Sequence, residues 1–229
     1  MTLARALEKR SHDIVMVSDK IQNPESLKFH SLPLHSLNTS YLGRIRNVFA
    51  LKELIAREKV ELIHSHSRAA NLVSHFARKS WTENRLPMVA TVHGRWRNHF
   101  AARQLPCLGE RTIAVCPYLA RYLAEDIGVP ADSVRMIPNG IDTERFVPRD
   151  LTDGKSTREI LFLGRFSGQK GNVIRFLMRE IFQQLAREFA DVHFVVAGGH
   201  VPDADRENVL KFNSSVGREV LRLVDRVND

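Results

Sequence analysis

Short apolar runs alternating with longer stretches of helical periodicity constrain most strongly what this chain can fold into. Residues 13–18, 60–64, 88–92, 112–116 and 134–137 read as short strands of the buried type, each bounded by polar or turn-forming residues. Between them, apolar side chains recur at helical spacing over 42–57 (Ile45, Val48, Phe49, Leu51, Leu54, Ile55), over 69–79 and after Pro117. Residues 3–9 read as the last turns of a helix, and a further strand is expected near 27–34. A helix between successive strands is the connection that parallel pairing requires. After the polar stretch 149–157 the pattern restarts, with a strand at 160–163, a helix at 172–189, a strand at 192–197 and a helical pattern from Asp205 onward. The alternation predicts an α/β chain with doubly wound parallel sheets in two domains, 1–148 and 149–229, joined by a linker.

In open α/β sheets, functional groups gather at the carboxyl ends of the strands. The most informative of these ends is 159–171, where an apolar run breaks into Gly164-Arg165 and Lys170-Gly171 precedes a helix. A glycine there lets backbone amides approach a ligand, a helix start offers unpaired N–H groups, and two cations add charge. That combination suits a phosphate or a diphosphate. Three other ends carry histidine: His64-Ser65-His66-Ser67-Arg68, His93-Gly94-Arg95 and Gly198-Gly199-His200.

The formal charge of +8, from 34 Lys and Arg against 26 Asp and Glu, points to anionic partners: nucleic acid, an acidic membrane surface or phosphorylated small molecules. Aromatic residues make up only 7% and form no stacking platform, which disfavours nucleic acid. Cys107 and Cys116 are too few and too widely spaced for a disulfide framework or a C-x-x-C site, so both read as structural residues of a reducing compartment. No apolar run approaches the ~20 residues that span a bilayer, which predicts a cytoplasmic protein, soluble or peripheral.

Five strings in order, H-S-H-S-R (64–68), T-V-H-G (91–94), A-V-C-P-Y-L (114–119), I-P-N-G-I-D (137–142) with Phe146, and L-F-L-G-R-F-S-G-Q-K-G (161–171), resemble the family 4 glycosyltransferases over nearly the whole chain. The resemblance implies a GT-B architecture of two Rossmann-like domains. The acceptor would lie on the first and a nucleotide diphosphate sugar on the second, with transfer to an acceptor hydroxyl with retention and without a metal or other cofactor. It also implies that Gly164, Arg165, Lys170 and Gly171 hold the donor diphosphate, and that His93 faces the donor sugar at the reacting centre. His66, Ser67 and Arg68 would line the acceptor side of the cleft, and Asn139 with Gly140, in a Pro138-Asn139-Gly140 segment that reads as a turn, would match a loop near the domain crossover. By the same comparison the chain lacks the family's opening strand with its glycine-rich loop, and stops before the segment carrying two glutamates. Cell-envelope polysaccharide, lipopolysaccharide or glycolipid synthesis is the implied setting, with a glycan or lipid-linked acceptor.

Competing readings rest on weaker patterns. Glu180 and Glu188 have seven residues between them but fall within the helix after Gly171. At about 100° per residue they lie roughly 80° apart on a solvated face, opposite an expected apolar stripe of Val173, Leu177, Ile181, Leu185 and Phe189. Asp203-Ala204-Asp205 is a D-x-D, better explained by capping of the helix it opens. His64 and His66 share one face of an extended segment, as metal ligands can, but have no carboxylate or Cys beside them. Basic residues Arg44, Arg46, Lys52, Arg57 and Lys59 accompany the first long helix, while Arg95, Arg97 and Arg103 surround Trp96 and Phe100. Such charge beside apolar anchors predicts peripheral contact with anionic lipid. The alternatives are a remnant that binds nucleotide or phosphate without turnover and, more weakly, a basic nucleic-acid binder.

Overall fold

The computed structural model describes residues 2–19, 28–33, 41–78, 86–96, 99–148, 158–199 and 201–224. The linker 149–157, Arg97 and His200 lie outside them. The chain divides into two compact units, Met1–Asp142 and Thr143–Asp229.

The first unit opens with α1 (Thr2–Glu8), β1 (Val15–Ser18), β2 (Lys28–Ser31) and α2 (Tyr41–Arg57). It continues through β3 (Ile63–Ser65), α3 (Arg68–Ala77), β4 (Met88–Val92), α4 (His99–Gln104) and β5 (Arg111–Ala114). Then come α5 (Pro117–Arg121), prolonged by a π-helical stretch Tyr122–Ile127, and β6 (Val134–Met136). β1 pairs with β2, and β3-β4-β5-β6 form a second sheet; every pairing is parallel. Two apolar clusters cover these sheets. Leu51 and Leu54 of α2 pack with Val73 and Ala77 of α3, while Leu119, Tyr122, Leu123 and Ile127 pack on Val92 and Ala114. Each such buried large side chain contributes roughly 1.5–3 kcal/mol of transfer free energy. A half-buried ion pair ties the end of α3 to β4: the Arg78 guanidinium donates to Glu110 at 2.6 and 2.8 Å, and Glu110 also accepts the Met88 N–H at 2.8 Å.

The second unit contains β7 (Arg158–Leu163), α6 (Gly168–Phe176), a π-helical stretch Leu177–Ile181, α7 (Phe182–Glu188), β8 (Val192–Ala197), α8 (Asp203–Val216) and β9 (Leu221–Val224). The sheet order is β7-β8-β9, again all parallel. Its core stacks Phe182 on Phe194 at 4.0 Å between centroids and sets Phe212 edge-on to Phe194 at 6.5 Å. The α/β class with Rossmann-like parallel sheets therefore holds in both units.

Four details differ from the sequence reading. The helix after the cation turn starts at Gly168, so Lys170 and Gly171 lie inside its first turn. The buried stripe is Gly171, Ile174, Met178, Phe182 and Ala186, whereas Val173 is 48% exposed and Ile181 37%. Two adjacent apolar stripes exist on this helix, and the one carrying Met178 and Phe182 fills the core. The helical pattern from Asp205 ends at Val216, where Gly217 adopts the left-handed conformation, and β9 follows. Finally, Pro138, Asn139 and Gly140 form no turn: Ile137 N–H donates to Ala114 O at 2.9 Å, extending the chain past β6, and Gly140 keeps a negative φ.

Candidate functional site

In the first unit three imidazoles meet at the ends of β3 and β4. The parallel register sets His64 opposite Val89 and Ser65 opposite Ala90, which brings the residues after both strands together. The His64 and His66 rings lie 4.3 Å apart, as i, i+2 spacing on an extended segment allows, and His66 lies 5.5 Å from His93, nearly parallel to it. His64 Nε2 is 2.8 Å from the Thr91 hydroxyl, and His66 Nδ1 is 3.2 Å from His93 Nε2. His66 is exposed as a residue, but its ring is flanked by the other two. Burial, reinforced by the fields of His64 and His93, pushes its pKa down to about 4; burial also lowers that of His64. His66 is therefore neutral at physiological pH. Among the described residues no group of three His, Cys, Asp or Glu side chains is arranged to hold a metal ion.

Two further residues of the H-S-H-S-R motif are committed locally. Ser67 caps α3, its hydroxyl accepting from Ala70 N–H at 3.2 Å. Arg68 donates to the carbonyls of Leu105 and Pro106 and lies 4.8 Å over the Trp96 ring. Its role here is to tie the start of α3 to the segment after α4. Nearby, Arg95 donates to the Tyr118 hydroxyl at 2.9 Å and pairs with Asp126 at 3.4 Å, while the half-buried Trp96 meets Tyr122 edge-on at 6.5 Å. The Arg95 and Trp96 side chains are thus spent within the unit, although Phe100 remains 74% exposed. Asn139 is exposed in the extended segment after β6. The imidazole pairing of His64 with Thr91 was missed, because residues 27 positions apart are joined only by strand register.

In the second unit Gly164 follows β7 and donates its N–H to Ala197 O at 2.9 Å, fastening the turn to the end of β8. Arg165 and Lys170 are exposed, and among the described residues neither has an acidic partner. Between them Phe166 is 3% exposed, its ring anchored in the core, so the two cations project from either side of a fixed point. Ser167 is the N-cap of α6 but makes no side-chain cap bond; the Gly171 N–H donates to the Ser167 carbonyl at 3.3 Å, and the N–H groups of Gly168, Gln169 and Lys170 before it are the ones a helix start offers to a ligand. Gly171 packs so closely on this turn that a Cβ would lie 2.2 Å from the Phe166 carbonyl oxygen. Gly198, at φ 124°, brings the loop after β8 against Gly164, where a Cβ would lie 3.1 Å from the Gly164 oxygen. The result is a glycine-walled, cation-bearing helix N-terminus with the chemistry of an anion site.

The D-x-D does not supply the N-cap expected of it. Pro202 is the N-cap of α8, and Asp205, 3% exposed, accepts two hydrogen bonds from Arg175 at 2.8 and 2.7 Å. Glu180 and Glu188 are exposed, with Glu180 paired to Arg179 at 2.6 Å.

Comparison with known proteins is consistent with this architecture. The phosphatidylinositol N-acetylglucosaminyltransferase GPI3 subunit of Saccharomyces cerevisiae (strain YJM789) is 25% identical over 219 residues, covering 86% of this chain and 48% of the yeast protein. The UDP-Gal:alpha-D-GlcNAc-diphosphoundecaprenol alpha-1,3-galactosyltransferase of Escherichia coli is 25% identical over 162 residues, covering 62% of this chain and 39% of that protein. The chain thus spans about half or less of the length of these curated relatives. A solved glycosyltransferase from Rickettsia africae ESF-5 superposes with a TM-score of 0.74 at 19% identity, covering 99% of this chain and 63% of its own, which shows the shared GT-B-type fold. Residues 1–145 match the model of Glycosyltransferase Family 4, and the chain belongs to that family.

Proposed function

We propose that this chain belongs to an enzyme that transfers a sugar from a nucleotide diphosphate sugar to an acceptor hydroxyl with retention, in the synthesis of a glycolipid or envelope polysaccharide. The observation that carries the reading is the cation turn: Arg165 and Lys170, exposed and without acidic partners among the described residues, at the N-terminus of α6. Negative charge grows on the leaving diphosphate as the glycosidic bond breaks, and fixed cations and N–H groups stabilise it without reorganisation. Gly164 and Gly171 keep the backbone close enough for that contact. The second unit is then the donor side and the first the acceptor side. His93 is the polar group at the reacting sugar, and His66, neutral beside it, is a hydrogen-bonding partner rather than a competing cation. No metal or other cofactor is assigned to the reaction, because Arg165 and Lys170 supply positive charge where the diphosphate would need it.

The names of the relatives support a lipid-linked acceptor. One acts on phosphatidylinositol and the other on a diphosphoundecaprenol, with UDP-Gal as donor. Among the described residues no helix is long and apolar enough to cross a membrane. The outward face of α2 suits a peripheral contact instead, because Leu42, Ile45 and Phe49 are 78%, 45% and 68% exposed beside Arg44 and Arg46. Flotation with anionic liposomes and its loss with neutral ones is the expected outcome; equal flotation with both removes the membrane part of the proposal.

The donor reading is tested by calorimetric titration of the chain with UDP, GDP and ADP. Saturable binding of one of them, weakened by Arg165→Ala or Lys170→Ala, is expected. No binding to any of the three defeats the donor-site assignment, and binding without sugar transfer favours a nucleotide-binding remnant.

A further inference from the structure

Among the described residues Arg175 and Asp205 form the most buried ion pair of the second unit. Arg175 lies on α6 and donates from Nε to Oδ1 of Asp205 at 2.8 Å and from Nη2 to Oδ2 at 2.7 Å, a bidentate pair. The Asp205 side chain is 4% exposed and that of Arg175 is 42% exposed. The same Nη2 also donates to the Phe166 carbonyl at 3.1 Å. Phe166 is the residue between the two arms of the cation turn, and its carbonyl is the group against which Gly171 packs at a distance no Cβ could share. One guanidinium therefore joins three segments: the turn after β7, the body of α6 and the first turn of α8. α8 in turn leaves from the loop whose Gly198 lies against Gly164.

A buried carboxylate is an expensive way to fill this space. Well-packed apolar side chains of similar volume are often as stabilising as a buried ion pair, or more so. What they do not supply is a directional hold on a carbonyl oxygen. Phe166 is already anchored by its ring. Fixing its carbonyl as well sets the orientation of the Phe166–Ser167 peptide unit, and together with the ring anchor it holds the backbone path between Arg165 and Lys170.

We infer that Arg175 and Asp205 are positioning residues for the anion grip, acting through the Phe166 carbonyl on Arg165 and Lys170. The inference rests on the donor-site reading above and deepens it. Its test uses Arg175→Lys, which keeps the charge but cannot make the bidentate pair and the carbonyl contact together. A second variant, Arg175→Met with Asp205→Leu, removes the pair without leaving a buried charge. Each is titrated with UDP, GDP and ADP and with the matching nucleosides, beside a thermal melt.

The expected result is a loss of about tenfold or more in affinity for the preferred diphosphate, as displacement of positioned groups produces. Nucleoside affinity and the melting midpoint stay close to the wild type. Unchanged diphosphate affinity in either folded variant overturns the inference, as does an equal loss for nucleoside and diphosphate. If the paired variant does not fold, Arg175→Lys decides alone. A wild-type chain that binds none of the three diphosphates removes the donor reading and this inference with it, whereas a wild type that binds beside unaffected variants removes this inference only.

Discussion

The histidine corner of the first unit and the cation turn of the second solve opposite electrostatic problems at equivalent places, the carboxyl ends of parallel strands. In the corner, polar groups satisfy one another: His64 with Thr91, His66 with His93, Ser67 with Ala70, Arg68 with Leu105 and Pro106. His66 is kept neutral by burial and by its neighbours. In the turn, Arg165 and Lys170 have no acidic partner among the described residues, and the buried carboxylate at the start of α8, Asp205, is taken by Arg175. A region whose groups satisfy one another couples function to folding. A region whose charges face outward keeps the two separate.

The sharpest way to challenge that contrast is to remove both cations at once. Arg165→Ala with Lys170→Ala is expected to weaken binding of the preferred nucleoside diphosphate by a hundredfold or more, about 2.7 kcal/mol. The thermal midpoint stays nearly unchanged, since exposed charges without partners contribute within about 0.5 kcal/mol of stability. His93→Ala is the matching change in the corner: it is expected to slow transfer from a sugar nucleotide while leaving diphosphate binding intact. Calorimetry, a melt and an assay of nucleoside diphosphate release read the three quantities. A large stability loss in the double cation variant contradicts the separation.

The two regions were unequally legible in the sequence. β4 was read at its observed bounds, since its apolar run lies between Pro87 and Gly94. The cation turn was equally plain, because its glycines and charges lie within one short segment. The start of α6 was read late because Gly168 and Gly171 disguise its first turn as loop. The buried stripe was misjudged because apolar residues occupy two adjacent faces, and the π-helical stretch Leu177–Ile181 shifts the register between them. β9 was missed because four residues cannot establish a period of two against a preceding helical pattern, although Gly217 was an available stop signal. Tertiary pairs such as Arg175 with Asp205 leave no local signature at all; the sequence showed only a D-x-D beside a helix start.

A backbone change in the turn tests whether outward charge alone explains the separation. Gly171→Ala places a Cβ 2.2 Å from the Phe166 oxygen, against backbone rather than a flexible side chain. The turn or α6 must move, at a cost on the order of 1–3 kcal/mol in stability. Here both the melting midpoint and diphosphate affinity are expected to fall together, unlike the result for the two cations. A Gly171→Ala chain as stable as the wild type shows that the close approach is relieved without cost.

The smallest expected effect is a pH dependence of stability, and it belongs to the histidine corner alone. In the unfolded chain His66 titrates near the ordinary value of 6.5, whereas in the folded chain it stays neutral down to about 4; His64 is displaced in the same direction. Between those values the unfolded state binds more protons, so stability falls as pH is lowered from 6.5 toward 4 and levels off below. Above 6.5 both states are neutral and these groups contribute no slope. His66→Gln keeps a hydrogen-bonding side chain beside His93 but cannot titrate, so its melting midpoint should fall less between pH 7 and pH 5 than that of the wild type. Arg165→Ala with Lys170→Ala should track the wild type over the same interval, because it leaves His64 and His66 in place. If His66→Gln and the wild type lose stability in parallel, the corner is hydrated enough to accept protons when folded, and the neutrality that distinguishes it from the turn is lost.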